Sequence, residues 1–354
     1  MLIHSVRLQN YRSYTDDSFE FDPSVNIIVG PNASGKTNLL EAIIVASQGK
    51  SYKTSDVELI AHGADWARLD AQSDSQTRTV KLQRAAVKAI KTVEIDKVSF
   101  SRLVSQRQLP FVLFEPNDLQ LLHGGPERRR EYLDALLEKL HIPFGRLRRD
   151  YRRALAQRNR QLKTGHTTQD DLFVWDVRLS EIGGKIATYR NNLVIELAPK
   201  LTRLYKEIAS SKTNVVVSYE TNCHIDNYSS NMLQLLKSHR TQDIERGFTS
   251  YGPHRDDMEV QFDSYPAKEV ASRGETRTVV LAMKILELEL LANKKDQKPL
   301  LLLDDVFSEL DGARRKHLTE YLQNHQTFIT TTDADIVVQH FMKKCHIIPL
   351  QKNR

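Results

Sequence analysis

Apolar residues along the chain fall into blocks of two kinds. Ile3, Val6 and Leu8 lie in a short strand-like stretch, and Val25-Asn26-Ile27-Ile28-Val29 is a compact apolar run that stops at Gly30. A run of that length, bounded by a glycine, predicts a strand buried on both faces. Beyond Lys36 the residues from Asn38 to Ser47 are rich in Leu, Ala, Ile and Glu, which predicts a helix. Between Val57 and Phe100 the apolar positions Val80, Leu82, Val87, Val93, Ile95 and Val98 mostly alternate with polar ones, the signature of antiparallel sheet. The run LPFVLFEPNDLQLL, residues 109–122, passes from a strand through Glu115-Pro116 into a helix start.

Helical spacing then governs roughly the next third of the chain. Tyr132, Leu133, Leu136, Leu137 and Leu140 form one stripe; Leu147, Tyr151 and Leu155 a second; Ile182, Ile186, Tyr189, Leu193 and Leu197 a third. Pro143, Gly145, Gly165 and Pro199 interrupt the series, so a helical subdomain is expected and a long coiled coil is not. Past Gly247 the β pattern returns with Met258, Val260 and Phe262. A helix is predicted from Glu275 to Asn293, then buried strands at Leu300–Leu303 and Thr327–Thr330. The helical block is thus inserted between two halves of one α/β core. Lobe I is expected over 1–118 and 293–354, with parallel core strands and antiparallel sheet, and lobe II over 119–292.

With 354 residues, 40% hydrophobic and 27% charged, the chain has ample material for a core, and its composition excludes collagen-like, disordered and disulfide-scaffold classes. Cys223 and Cys345 are far apart and have no metal-ligand spacing, as expected of incidental thiols in a reducing compartment. No apolar run reaches the roughly 18 to 20 residues that span a bilayer, and Met1 to Arg7 lacks a leader pattern. A cytoplasmic protein without a membrane partner is expected.

The sharpest local signal is Gly30-Pro31-Asn32-Ala33-Ser34-Gly35-Lys36-Thr37, which fits G-x-x-x-x-G-K-[ST] between a buried strand and a helix. Glycines at its two ends let backbone N–H groups curl around phosphate oxygens, and the helix N-terminus adds a favourable dipole. Lys36 would reach the β- and γ-phosphates of ATP, and the Thr37 hydroxyl would coordinate Mg²⁺. Leu300-Leu301-Leu302-Leu303-Asp304-Asp305 supplies carboxylates at the end of a second buried strand, where ligands of such sheets bind. Asp304 would hold Mg²⁺, and Asp305 would polarise an attacking water. A pair of aspartates capping the next helix would look the same in isolation.

Charge is unevenly placed. Residues 127–163 carry twelve Lys and Arg against five Asp and Glu, a balance of +7 that leaves −1 of the overall +6 for the rest. Most of these cations are arginines, whose planar forks suit phosphate. Arg128, Arg129, Arg130, Arg148, Arg149, Arg152 and Arg153 are the candidates for contact with a DNA backbone, with Tyr132 and Tyr151 assigned to the core. A solvated helix face is the competing explanation. His254-Arg255-Asp256-Asp257 lacks a ligand spacing and is expected in a turn or at an interface rather than on a metal.

The order of motifs resembles an ABC-type ATPase head: phosphate loop, then Ser272-Arg273-Gly274-Glu275 opening a helix, then the acidic strand, then Ser308-Glu309-Leu310-Asp311. Within that class, further stretches resemble the RecF family of DNA replication and repair ATPases. They are Gly49-Lys50-Ser51-Tyr52-Lys53-Thr54, Phe114 to Leu119, Gly252 to Asp257, and Ala271 to Thr278. The resemblance implies an ATP-driven homodimer in which Ser272 and Gly274 of one head act in trans on ATP held by the other. It implies slow hydrolysis, binding to single- and double-stranded DNA and gapped junctions, and work with RecR, RecO and the RecA recombinase. An ordinary capped helix at Ser272 fits the same residues. Glu275 and Thr276 depart from the usual glutamine of this motif. A γ-phosphate sensor falls among Thr330, Thr331 and Thr332, and Gln106 and Gln108 are candidates for the glutamine that links metal to lobe II. Two other readings are an ATP-binding clamp without turnover and a transporter subunit, the latter disfavoured by the missing L-S-G-G-Q run.

Overall fold

The computed structural model describes residues 2–351 except 87, 165–168, 295–297, 323, 334–336 and 338–344. Val87 and Gly165, both used above, therefore lie outside the described residues, as does the side chain of Ser308. The chain divides into two units, one of Met1–Asp118 with Met283–Arg354 and the other of Leu119–Ala282.

The first unit opens with strands β1 (Ile3–Tyr11), β2 (Tyr14–Glu20) and β3 (Val25–Val29), then helix α1 (Lys36–Gln48). Strands β4 (Trp66–Ser73), β5 (Thr77–Arg84), β6 (Ala89–Ile95), β7 (Val98–Phe100) and β8 (Phe111–Phe114) follow. The second unit holds α2 (Pro126–Leu140), α3 (Phe144–Leu162), α4 (Gln169–Ala209), β9 (Val215–Glu220), α5 (Tyr228–Ser238) and α6 (Arg240–Arg246). It continues with β10 (Asp257–Phe262), β11 (Tyr265–Pro266) and α7 (Ala267–Val270). The unit boundary then falls inside α8 (Arg273–Lys294), not after it. The chain returns to the first unit with β12 (Leu300–Asp304), α9 (Gly312–Leu322), β13 (Thr327–Thr331) and β14 (Cys345–Pro349).

Two sheets build the first unit. One has six strands in the order β2-β1-β4-β5-β6-β7, all antiparallel, and the other has five in the order β14-β3-β13-β12-β8, all parallel. Their apolar faces share one core with α1, in which Leu39, Ile43 and Ile44 meet Val6, Leu69 and Val80 of one sheet and Leu302 and Phe328 of the other. This explains why the 38–47 segment is apolar almost all round: a helix enclosed on every side has no polar stripe to show. Arg78 is buried in this core with its guanidinium donating to the carbonyls of Ala46, Ser47 and Arg107, and burial lowers its pKa to about 10. It stands at the C-terminal end of α1, where a cation suits the helix dipole.

The second unit is helical with one small sheet, β11-β10-β9. Two expectations change here. Residues 215–220 lie in a stretch expected to be helical but form β9, paired antiparallel with β10 over Asp257–Phe262. The β-branched run Val215-Val216-Val217 favours that choice. Pro199 does not interrupt a helix but sits within α4. The carbonyl it leaves without a helical partner belongs to Ile195, which is exposed and can be hydrated. Although α4 has 41 residues, it packs within its own unit against α3, α5 and β9, and no extended arm arises among the described residues.

Candidate nucleotide site

The phosphate loop is shaped by its neighbours. Gly35 has φ +96°, and a Cβ there would lie 2.9 Å from the Tyr14 hydroxyl, which donates to the Gly35 carbonyl at 3.0 Å. A Cβ on Gly30 would lie 2.6 Å from both the Leu350 carbonyl and Ser34 Oγ. Only glycine fits at either end of the loop. Lys36 folds its ammonium back along the loop, donating to the carbonyls of Gly30 at 2.8 Å and Pro31 at 2.9 Å. Among the described residues the buried Ser34 hydroxyl has no hydrogen-bond partner, and no side chain caps the start of α1. An unsatisfied hydroxyl beside uncapped helix N–H groups is an acceptor-seeking site, which suits the oxygens of a nucleoside triphosphate.

The ends of parallel strands supply the carboxylates. Thr37 Oγ1 donates to Asp304 Oδ1 at 3.0 Å, joining the first turn of α1 to the end of β12. Thr330, buried on β13, donates to the same oxygen at 2.7 Å and accepts from the Asp305 backbone N–H at 2.9 Å. Asp305 itself has φ +54°, a left-handed conformation uncommon for a residue with a side chain and frequent at functional turns. Thr37 and Asp304 thus hold two hard oxygen atoms side by side, the kind of donor that suits Mg²⁺.

Two further side-chain pairs at this end of the sheet, Glu115 with Tyr52 and Lys284 with Asp118, were given no role by the reading of motifs. Leu303 pairs with Phe114, so Glu115 follows β8 beside Asp304. Its carboxylate accepts from the Tyr52 hydroxyl at 2.9 Å, and burial, reinforced by Asp118 and Asp304, raises its pKa. Lys284 pairs with Asp118 at 3.1 Å and donates to the Leu113 carbonyl at 2.7 Å, fixing the turn after β8. Gln106 and Gln108 do not reach this end. Gln108 donates to the carbonyls of Gln48 and Leu103, and Gln106 lines a pocket at the sheet edge with Phe100. Among the threonines, Thr330 serves Asp304 and Thr331 closes a turn on Asp333, accepting from its N–H at 3.1 Å. Thr332 is exposed.

In the second unit Ser272 opens α8 with a reciprocal cap. Its backbone N–H donates to Glu275 Oε2 at 2.8 Å, and the Glu275 N–H donates to Ser272 Oγ at 3.2 Å. Glu275 therefore has a structural role, and Thr276 beside it meets His123 at 2.9 Å. Ser272 is exposed at the helix start.

The basic block separates into structural and exposed cations. Arg129 is buried in a two-pronged pair with Asp257, at 2.8 and 2.7 Å, and Arg148 is enclosed by Glu131, Asp134 and Glu138. Neither is available to DNA, contrary to expectation. Arg130, half-buried, donates to the Asp256 carbonyl at 2.9 Å. Arg128, Arg149, Arg152 and Arg153 are exposed, as are Arg146, Arg160 and Lys163 along α3. His254 and Asp256 face inward. The imidazole meets the Tyr151 hydroxyl at 2.8 Å and the Thr249 carbonyl at 3.0 Å, while Asp256 accepts from Tyr219 and Tyr228 at 2.6 Å each. Among the described residues no cluster of His, Cys, Asp and Glu has a metal-binding arrangement, and no helix is long and apolar enough to cross a membrane.

The model of the RecF/RecN/SMC N-terminal domain family matches residues 2–353. The DNA replication and repair protein RecF of Alkaliphilus oremlandii is 36% identical over 344 residues, covering 94% of this chain and 93% of that protein. The chain belongs to the RecF family. Two solved RecF structures share its fold. The recombination mediator RecF with ATP in the RecFOR pathway has a TM-score of 0.82 at 29% identity, covering 94% of this chain and 92% of that one. RecF with ATPrS in the same pathway has a TM-score of 0.85 at 28% identity, covering 100% and 98%. The fold is accordingly an ABC-type, SMC-like ATPase head without a long coiled coil, and the ATP bound in those RecF structures suits the phosphate loop described above.

Proposed function

We propose that this RecF family member is an ATP-dependent DNA-binding protein of recombinational repair, closing as a dimer on DNA when ATP binds and reopening on slow hydrolysis. The observation that carries this reading is the 3.0 Å contact between Thr37 and Asp304, which joins the phosphate loop to the acidic strand end. Gly30 to Thr37 would hold the triphosphate, with Lys36 leaving the loop carbonyls for phosphate oxygens. Thr37 and Asp304 would hold Mg²⁺, whose charge offsets that of the phosphates. Asp305, presented by its left-handed turn, would orient the attacking water. Ser272 and Gly274, at the exposed start of α8, would meet the partner head's γ-phosphate, a place suited to an anion by its N–H groups and dipole.

DNA would be held through its backbone by Arg128, Arg149, Arg152 and Arg153, without base reading. Its place would be at single-strand/duplex junctions and gaps in the cytoplasm, with RecR and RecO to load RecA; the RecFOR pathway named for the solved RecF structures supports the RecR and RecO part of this reading.

Sedimentation velocity tests the core of this proposal. ATP with short duplex DNA should convert wild-type monomer to dimer; Lys36→Ala should stay monomeric and lose ATP binding, whereas Ser272→Arg should bind ATP yet stay monomeric. DNA-stimulated ATPase should vanish in Asp304→Asn. A wild-type protein that remains monomeric in saturating ATP overturns the dimer.

A further inference from the structure

The loop between α6 and β10, residues 247–256, is fixed from beneath at almost every position. Thr249 receives Arg158 at 2.9 Å through its hydroxyl, and its backbone N–H donates to Asn159 Oδ1 at 2.9 Å. Gly252 has φ +129°, and a Cβ there would lie 2.6 Å from both Met232 and the Tyr151 hydroxyl, so the chain can pass only as glycine. The Pro253 carbonyl accepts from Arg190 at 2.6 Å, and His254 is held at both ring nitrogens. Two side chains of this loop face outward instead. Phe248 is 40% exposed, and the Arg255 guanidinium lies 5.0 Å from its ring centroid. Arg255 is exposed, and its guanidinium donates to the Thr249 carbonyl at 3.4 Å.

Their position extends the basic face of α3. Asn159, which holds Thr249, precedes exposed Arg160, and Gly247 lies against the side chain of Lys163. An aromatic ring with a cation over it, at the end of a row of exposed arginines, offers what phosphate contacts alone do not: a flat surface for a base. Stacking on an aromatic side chain is open only to a base that has left its pair, and it accepts any of the four. Because the loop is already rigid, little order is lost on binding.

We propose that Phe248 and Arg255 form a stacking step for an unpaired base of DNA, placed where the basic face of α3 ends. The proposal rests on the DNA reading above and assigns its junction preference to one contact, an unpaired base stacked on the Phe248 ring. The ring would take the first unpaired base, and Arg255 its phosphate.

The test uses the full-length protein with ATP and two labelled DNAs, a blunt duplex and the same duplex with a single-stranded tail carrying 2-aminopurine at its first unpaired position. Wild type should bind the tailed DNA about ten-fold more tightly by anisotropy and quench the 2-aminopurine on binding. Phe248→Ala should lose both the preference and the quench while keeping its affinity for blunt duplex, and Phe248→Tyr should retain both. Arg255→Ala should weaken tailed DNA selectively. A preference and quench unchanged in Phe248→Ala overturn the stacking step alone, and binding by wild type without preference or quench overturns the step and the junction preference while duplex binding stands. Failure of wild type to bind either DNA overturns the DNA reading and the step together.

Discussion

Replacing Arg158 should loosen the second unit more than replacing any exposed arginine of the same helix. Its side chain is wholly buried and donates to Asp176 at 2.7 Å, to Asp243 at 2.7 Å and to Thr249 at 2.9 Å, tying α3 to α4, α6 and the 247–256 loop. In Arg158→Met, Asp176 would keep Arg240 at 2.9 Å, and among the described residues Asp243 would keep only the Ser250 N–H at 3.1 Å. Removing one partner of a buried pair costs about 3–5 kcal/mol, and the donors that remain place this site near the lower end, at about 3 kcal/mol. The two tryptophans make this measurable unit by unit. Trp66 lies in the first unit and Trp175 in the second. In a Trp66→Phe background, urea unfolding followed by fluorescence reports the second unit. With a slope of about 2 kcal/mol/M, the midpoint should fall by about 1.5 M. Arg153→Met, exposed and 4.0 Å from Asp150, should move it hardly at all. Equal, small shifts in the two variants would refute the claim that the buried network holds this unit together.

Two more outcomes follow from the same reasoning. Thr330→Val removes the donor to Asp304 and strands the Asp305 N–H, so Mg²⁺-dependent binding of a fluorescent ATP analogue should weaken about ten-fold, with affinity in EDTA unchanged and Thr330→Ser restoring it. Equal loss with and without Mg²⁺ would show that Thr330 acts only on the fold. Burial lowers the pKa of His254 to about 4, so its neutral ring contributes stability in full above the unfolded value near 6.5. That contribution, about 3 kcal/mol, should be lost as pH falls from about 6.5 to 4. Asp256, whose pKa burial raises, works in the opposite direction, so the quantity to measure is the difference between wild type and His254→Gln in urea midpoints at pH 7.5 and 5. Parallel pH dependence in the two proteins would refute it.

What the sequence discloses about the site depends on how far apart its parts lie. The loop from Gly30 to Thr37 is contiguous, flanked by the strand and helix that its function needs, and both were legible from periodicity. Asp304 was legible because four leucines announce a buried strand before it. Thr330 stood only as one of three candidate threonines and Glu115 only inside a matched stretch, because their relation to Asp304 comes from strand order, with β12 between β8 and β13. Charge counting failed for a related reason. Arg129 reads as one more cation in a basic run, yet its partner Asp257 stands 128 residues away. Burial of a pair at that separation leaves no trace in local composition, whereas the exposed α3 arginines and the buried Arg158 share one helix and one residue type.

The order of the parallel sheet also bears on how the protein is made. Strand β3 takes its neighbours from β13 and β14, both synthesised about 300 residues after it. At about 5–20 residues per second, Val25–Val29 waits roughly 15–60 s on the ribosome for the strands that will flank it. The six-stranded sheet, complete by Phe100, can shelter α1 during that interval. It leaves both hydrogen-bonding edges of β3 unpaired. A nascent chain with such a strand is a substrate for chaperones, and slowing translation between β8 and β12 should lower the yield of folded protein more than slowing it before β7.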